Sequence, residues 1–202
     1  MIAIIDYDAG NLKSVEKALI RVGATPVVTR DKEIIRKADK VILPGVGAFG
    51  EAMEKLKSFA LIDPIYKVVE QGKPFLGICL GLQLLFEYSE EKEGCKGLSL
   101  LKGGIKRIPD APGLKVPHMG WNSLKVKEGA KLFSNLPEEP YVYFVHSYAA
   151  ECDSNDVAAY CDYGGKVTAL VYDGKFVYGA QFHPEKSGEV GLQILRNFAE
   201  LN

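Results

Sequence analysis

One of the four cysteines lies between two glycines at a point where the predicted secondary structure changes. The uncharged run Pro74–Phe86 begins as a buried strand and continues as a leucine-rich helix, with Gly77-x-Cys79-x-Gly81 at the junction. This spacing is the cysteine version of the G-x-S-x-G nucleophile elbow, where only glycine lets neighbouring backbone come close. The start of the following helix favours a negative charge on the sulfur, and the backbone N–H of Leu80 can receive an oxyanion. The pattern predicts a nucleophilic thiol at Cys79, although a cysteine in an apolar run is also typical of an ordinary core.

A histidine and a glutamate form the second candidate group, in Phe182-His183-Pro184-Glu185. Because proline forces the preceding residue toward extended geometry, we expect His183 in extended chain, where side chains two residues apart share a face. Glu185 would then hold one imidazole nitrogen while the other faces a nucleophile. Taken alone, the motif also fits a strand-end histidine in a surface turn. Together with the elbow, it predicts a Cys79-His183-Glu185 triad.

A glycine-rich stretch, Gly45-Val46-Gly47-Ala48-Phe49-Gly50, formally matches the dinucleotide-binding pattern G-x-G-x-x-G. That pattern needs an acidic residue at the end of the next strand to bind ribose, and the strand ending at Cys79 has none. We expect instead that the glycines allow close backbone approach, so that N–H groups near Val46 and Gly47 supply a second oxyanion donor opposite Leu80.

The rest of the sequence predicts the scaffold that holds these groups. Strand and helix patterns alternate in the first half, which indicates a mostly parallel central sheet flanked by helices, and short strands in the second half indicate added antiparallel hairpins, giving an α/β fold. The charged connector Glu90-Glu91-Lys92-Glu93 is interpreted as a solvated surface. Strands are expected at Ile2–Asp6, Pro26–Thr29, Lys40–Leu43, Gly104–Ile108, Trp121–Val126, Tyr141–Tyr148, Val157–Cys161, Val167–Tyr172 and Phe176–Phe182, and helical spacing is found over 12–22, 49–56, 62–69 and 192–198.

Composition narrows the possible functions. The 202 residues predict one domain, residues 1–202, and a net charge of −1 argues against nucleic acid or an anionic membrane as the main partner. The longest uncharged run is too short to cross a bilayer, and the first residues show no basic leader, so a cytoplasmic protein is expected. No C-x-x-C pair is present, which disfavours a zinc or redox centre and predicts reduced thiols at Cys79, Cys95, Cys152 and Cys161.

The two catalytic motifs together resemble the class I (triad) glutamine amidotransferases. Within that family, the chain resembles the glutaminase subunits of imidazole glycerol phosphate synthases from Ile4 to Lys186. Leu82 stands where anthranilate and GMP synthase glutaminases usually carry histidine, which argues against those relatives. The stretches that carry the narrower resemblance are Ile5–Asn11, Pro44–Phe49, Pro117–Asn122 and Tyr143–Tyr148.

The resemblance implies an activity, a partner and a set of binding residues. Cys79 would attack the side-chain amide of L-glutamine, and the ammonia released would pass to a (β/α)₈-barrel cyclase subunit, in a heterodimer that forms an imidazole ring in histidine biosynthesis without a cofactor. The implied oxyanion donors are Leu80, Val46 and Gly47. Glutamine-binding roles are implied for Gly47, Gln83, Ser147 and Tyr148, and a face toward the partner for Asn11, Met119, Trp121 and Lys186.

Two other classes of protein stay open at this point. One is a cysteine hydrolase of the DJ-1 or PfpI type, against which Gln83 and His183-Pro184-Glu185 argue. The other is a homologue that binds a partner without catalysis, which an intact triad disfavours. For Trp121 two positions stay open, because a lone tryptophan is found in protein cores as well as at interfaces.

Overall fold

The computed structural model describes residues 1–201, which form an α/β structure around one large sheet. The helices are α1 Leu12–Arg21, α2 Lys32–Lys37, α3 Phe49–Ser58, α4 Ile62–Glu70, α5 Leu80–Leu84 and α6 Gly188–Glu200. The strands are β1 Ile2–Ile5, β2 Pro26–Thr29, β3 Lys40–Gly45, β4 Phe75–Cys79, β5 Tyr88–Ser89, β6 Gly104–Arg107, β7 His118–Ser123, β8 Lys125–Val126, β9 Tyr141–His146, β10 Tyr148–Glu151, β11 Val157–Asp162, β12 Lys166–Tyr172 and β13 Val177–Ala180.

The central sheet has eight strands in the order β2-β1-β3-β4-β13-β12-β11-β8. The first five of these strands run parallel, and the last three extend the sheet through antiparallel pairs. A three-stranded sheet, β10-β6-β5, and a two-stranded antiparallel sheet, β7-β9, are separate from it. The predicted parallel core with added antiparallel hairpins is therefore confirmed.

Helices cover both faces of the parallel strands, which explains why these strands are apolar along their whole length. In β1, Ile2 and Ile4 pack in the cluster that contains residues of α1 and α6. Ala3 and Ile5, which point the opposite way, pack in the cluster that contains residues of α2, α3 and α4. Two layers of buried side chains thus fix the sheet between the helices.

Two local differences from the expected elements have simple causes. Helix α2, which no prediction covered, is short and buries only Ile35, so it leaves little periodic signal, and Asp31 begins it by accepting hydrogen bonds from two backbone N–H groups. The expected strand Tyr141–Tyr148 is interrupted at Ser147, where β9 ends and β10 begins in a different sheet. Ser147 lines a cavity that Cys79, at the end of β4, also lines.

Candidate active site

The cysteine elbow forms where β4 meets α5, as the sequence predicts. Cys79 has φ 55° and ψ −109°, a backbone conformation that non-glycine residues rarely adopt and that is common at functional sites. A Cβ on Gly77 would lie 2.5 Å from the carbonyl oxygen of Gly81, and one on Gly81 would lie 1.8 Å from that of Leu43. Both flanking glycines are therefore required by close backbone packing around the thiol.

The parallel sheet brings the histidine to the same edge as the thiol. Strand β13 lies beside β4 with Ala180 opposite Ile78, so His183 follows the end of the strand adjacent to Cys79. Its Nδ1 lies 2.8 Å from Oε1 of Glu185, and both side chains are buried. The other ring nitrogen, Nε2, is buried and has no hydrogen-bond partner within residues 1–201.

The reason given above for the pairing of His183 with Glu185 is wrong, although the pair itself forms. His183 is extended, with φ −100° and ψ 96°, but Pro184–Lys186 is a 3-10 turn rather than a continued strand. The turn, not the alternation of side chains along a strand, brings the Glu185 carboxylate back to the imidazole. Proline suits this position because a missing N–H costs nothing in the first turn of a helix.

The charge balance of this group favours a protonated histidine. Burial by itself lowers the pKa of His183, but the adjacent Cys79 and Glu185 outweigh it and raise the pKa to about 9. Near neutral pH, His183 therefore holds a proton that it can give to a leaving group. Among the cysteines outside this group, burial raises the pKa of the Cys152 thiol to about 11 and that of the Cys161 thiol to about 12.

A cavity of about 280 Å³ opens beside the thiol and brings most of the predicted site residues together. Its wall contains the proposed nucleophile and histidine, the three residues expected to donate to an oxyanion, and all four residues expected to bind glutamine. The residues that line it are Val46, Gly47, Cys79, Leu80, Gln83, Glu91, Val145, His146, Ser147, Tyr148 and His183.

The glycine-rich loop lies against this cavity, to which it contributes Val46 and Gly47. A Cβ on Gly45 would lie 2.4 Å from the Tyr7 hydroxyl and 2.9 Å from Cβ of Leu80, and Gly47 has φ +99°. Gly45 thus serves close approach, as expected, whereas Gly47 has open space where a Cβ would lie and is favoured there by its positive φ. Leu80 is the first residue of α5, so its N–H has no acceptor within the helix.

Glu91 corrects the interpretation of the charged connector as a solvated surface. Its carboxylate accepts a hydrogen bond from the backbone N–H of Phe49, at the start of α3, with a distance of 2.6 Å. The same side chain lines the cavity that holds Cys79. Lys92 follows the expected surface behaviour and pairs with Glu54. The charge pattern alone gave no sign that one of four adjacent polar residues turns inward.

Gln181 is a site residue that the sequence analysis missed. It is fully buried, and its Nε2 lies 3.9 Å from the Cys79 sulfur. Its Oε1 accepts a hydrogen bond from Nε2 of Gln83, which also donates to the carbonyl of Tyr148. The available signal was its place two residues before His183, immediately after β13, the strand beside the elbow.

The residues expected to face a partner are at the surface. Met119 and Trp121 are 62% and 56% exposed, so the core alternative for the tryptophan is wrong. Lys186 is exposed, and Asn11 is half-buried immediately before α1. Trp121 packs edge-on against Tyr143, with ring centroids 6.1 Å apart. Exposure leaves these side chains available for contact with another protein.

Residues 1–201 include six α-helices. No helix in that range is long and apolar enough to span a membrane. Within the same range, no group of three or more His, Cys, Asp or Glu side chains is arranged to hold a metal ion.

Known proteins that resemble this chain in sequence belong to one family. Residues 3–201 match the family model described as glutamine amidotransferase class-I. The chain is 54% identical to the imidazole glycerol phosphate synthase subunit HisH of Bacillus cereus (strain G9842) and 52% identical to that of Bacillus thuringiensis (strain Al Hakam). Each alignment covers 98% of this chain and 93% of the relative.

Solved structures show the same fold at lower sequence identity. A crystal structure of a glutamine amidotransferase aligns over 100% of both chains with a TM-score of 0.75 and 22% identity. The structure of PurLQS from Thermotoga maritima aligns over 98% of this chain and 96% of that chain, with a TM-score of 0.74 and 22% identity.

Proposed function

This chain belongs to the class I glutamine amidotransferase family, and from that premise we propose that it is the glutaminase subunit of imidazole glycerol phosphate synthase, with Cys79 as nucleophile. The observation that carries the residue assignment is the joint placement of Cys79, His183 and Glu185 at one edge of the parallel sheet, beside a cavity of about 280 Å³. A cavity of this kind suits a small molecule, and free L-glutamine is the substrate that the family implies.

In the first chemical step, the Cys79 thiol gives its proton to Nε2 of His183, and the sulfur joins the side-chain amide carbon of glutamine. The carbonyl π electrons move to oxygen as the C–S bond forms, and the resulting oxyanion needs hydrogen-bond donors. The N–H of Leu80, at the start of α5, is proposed for this role, and the loop at Val46 and Gly47 is proposed to supply the second donor. Donors aimed at the developing charge stabilise the transition state more than the substrate, which is how they accelerate the reaction.

Proton transfer by His183 completes both halves of the reaction. The imidazolium gives its proton to the amide nitrogen, so that ammonia leaves as the C–N bond breaks and a thioester forms. Neutral His183 then takes a proton from water, which attacks the thioester and releases glutamate. Glu185 holds Nδ1 throughout and keeps Nε2 directed at the reacting atoms, as the orienting member of a triad.

The cavity wall offers complementary groups for the amino-acid end of glutamine. Because Nε2 of Gln83 already donates to the Tyr148 carbonyl and to Gln181, its Oε1 is the atom suited to an α-ammonium group. Glu91 adds a negative carboxylate to the same wall. Backbone and side-chain groups of Ser147, Tyr148 and Gly47 are proposed to bind the α-carboxylate end.

The partner that consumes the ammonia is proposed to be a (β/α)₈-barrel cyclase subunit. The exposed pair Met119 and Trp121 supports this proposal, because methionine and tryptophan are enriched where proteins meet. Asn11 and Lys186 are proposed to complete the contact face. All four cysteines are free thiols, which suits a complex that works in the reducing cytoplasm.

Measurement of glutamine hydrolysis, with and without a cyclase subunit and its substrate, tests the proposal. We expect slow hydrolysis by the isolated chain and strong acceleration in the loaded complex. Cys79→Ala is expected to abolish glutamine-dependent ring formation while added ammonium salt still supports it, and Cys95→Ala, a half-buried cysteine outside the cavity, serves as the matched control. A wild-type complex that uses ammonium salt but not glutamine would instead indicate a non-catalytic homologue. Hydrolysis of unrelated esters or amides without glutaminase activity would indicate a hydrolase of the DJ-1 type.

A further inference from the structure

Two histidines that take no part in the proposed chemistry lie opposite each other on the small β7-β9 sheet. His118 pairs with His146 in the strand register, and they are 2% and 6% exposed. The His118 ring is stacked between those of Phe144 and Tyr163, with centroid distances of 4.5 and 3.9 Å. A polar ring buried in this way needs partners for both nitrogens.

The groups around the two rings determine which nitrogen donates and which accepts in each hydrogen bond. Nδ1 of His146 lies 2.8 Å from the carbonyl oxygen of Tyr148, and a carbonyl can only accept, so this nitrogen carries the hydrogen. Nε2 of His146 is then an acceptor, and Nδ1 of His118, at 3.0 Å, must donate to it. Nε2 of His118 is left as an acceptor for the side-chain amide of Asn122, at 3.4 Å. The donor direction therefore runs from Asn122 through His118 and His146 to Tyr148.

Both rings are neutral in this arrangement, with the hydrogen on Nδ1. Burial independently lowers the pKa of His118 and of His146 to about 4, which agrees with neutral rings at ordinary pH. The Nδ1–H form is the less common tautomer of the neutral histidine side chain in water. The chain of hydrogen bonds therefore predicts an unusual tautomer, which can be measured at both residues.

The chain of hydrogen bonds ends on the part of the cavity where β9 stops. The Tyr148 carbonyl receives a second hydrogen bond from Gln83, at 3.1 Å, and Ser147 lies between His146 and Tyr148. One residue before His146, the carbonyl oxygen of Val145 lies 4.0 Å from the Cys79 sulfur. The chain of hydrogen bonds from Asn122 to Tyr148 thus ends on the binding wall and includes no side chain of the triad.

We propose that His118 and His146 are positioning residues for glutamine, which hold the Ser147–Tyr148 turn in its binding geometry through this one-directional chain of hydrogen bonds. The proposal rests on the proposed function, because glutamine is the ligand whose binding it affects. Neither histidine transfers a proton in the reaction. Loss of the chain weakens glutamine binding and leaves the use of ammonium salt by the complex unchanged.

Two substitutions at His118 separate hydrogen bonding from packing. His118→Phe keeps a ring between Phe144 and Tyr163 but cannot donate to His146. His118→Asn loses the ring but places an amide N–H near the position of Nδ1. In the complex with the cyclase subunit, we expect His118→Phe to raise the KM for glutamine about tenfold, the effect of one lost hydrogen bond, with kcat much less changed. His118→Asn should stay nearer to wild type, whereas a purely structural ring would give the reverse order and overturn the proposal.

A second measurement uses the unmodified chain, so it tests the proposal even if a variant does not fold. Nitrogen-15 NMR of the histidine rings distinguishes the two neutral tautomers, and both His118 and His146 should be protonated on Nδ1. An Nε2–H tautomer at either residue would overturn the proposal. These outcomes differ from a failure of the proposed function, in which wild-type complex shows no glutaminase activity at all.

Discussion

Acidification from pH 6.5 to about pH 5 is expected to lower the free energy of unfolding of the isolated chain by about 3 kcal/mol. The chain has three histidines, and His118 and His146 are buried as neutral rings whose pKa values fall from 6.5 to about 4. A histidine with a lowered pKa in the folded state binds fewer protons folded than unfolded. Its contribution to stability is therefore present above pH 6.5 and is lost as the pH falls toward 4.

The expected size follows from the number of groups and the width of the pH interval. At pH 6.5 the unfolded histidine is only half protonated, so the loss of stability grows toward about 1.4 kcal/mol per pH unit as the pH falls. Each of the two rings therefore contributes about 1.5 kcal/mol over this interval. The contribution of His183 to stability changes with pH in the opposite direction, because its pKa is raised to about 9 in the folded chain. His183 is protonated in both states below pH 6.5 and adds little change there, and its stabilising contribution is lost as the pH rises from 6.5 to about 9. Stability should therefore be greatest near pH 6.5.

Urea unfolding followed by circular dichroism measures this dependence. Trp121 is a poor probe because it is already 56% exposed in the folded chain. His118→Phe is the matched control, since it keeps the ring stack and removes one of the two titrating groups, so its loss of stability should be about 1.5 kcal/mol, half that of wild type. A free energy of unfolding that stays constant between pH 6.5 and about pH 5 would refute the assignment of neutral buried rings.

Three further predictions concern the site and the contact face. His183→Ala should reduce glutaminase activity on the order of 10⁴-fold, and Glu185→Gln should reduce it less because Glu185 only orients the ring; kcat values in the reverse order would contradict these roles. Trp121→Ala should weaken binding to the cyclase in a titration while the melting temperature of the isolated chain stays nearly constant, and a large drop in melting temperature with unchanged affinity would argue against a contact role. Gly81→Ala should lower the free energy of unfolding by at least about 3 kcal/mol, because its Cβ would lie 1.8 Å from the Leu43 carbonyl oxygen; near-normal stability in urea would contradict this packing argument.

Local sequence patterns were enough to predict the parallel sheet and the elbow. Apolar runs mark β1, β3 and β4 because strands covered on both faces have no polar side to interrupt the signal. The two glycines around Cys79 were predictable for a related reason, since close backbone packing excludes a side chain at each position. These features depend on residues near one another in the chain.

Features that depend on distant residues were not predictable in the same way. The pairing of His118 with His146 joins residues 28 positions apart through a strand register that neither stretch reveals alone. The approach of Gln181 to Cys79 spans 102 positions and depends on β13 lying beside β4. Glu91 was misinterpreted because its role depends on the start of α3, which lies 42 positions away. Tertiary structure, rather than residue type, gives these side chains their environment.

Covalent labelling by a glutamine-like diazo ketone tests the central claim, that Cys79 is the nucleophile of a glutaminase, most directly. The reagent binds where glutamine binds and alkylates the attacking sulfur, and peptide mass spectrometry locates the adduct among the four free cysteines. We predict one adduct per chain, at Cys79, and protection by excess L-glutamine. An adduct at Cys95, Cys152 or Cys161 that glutamine prevents, with Cys79 unmodified, would contradict the account.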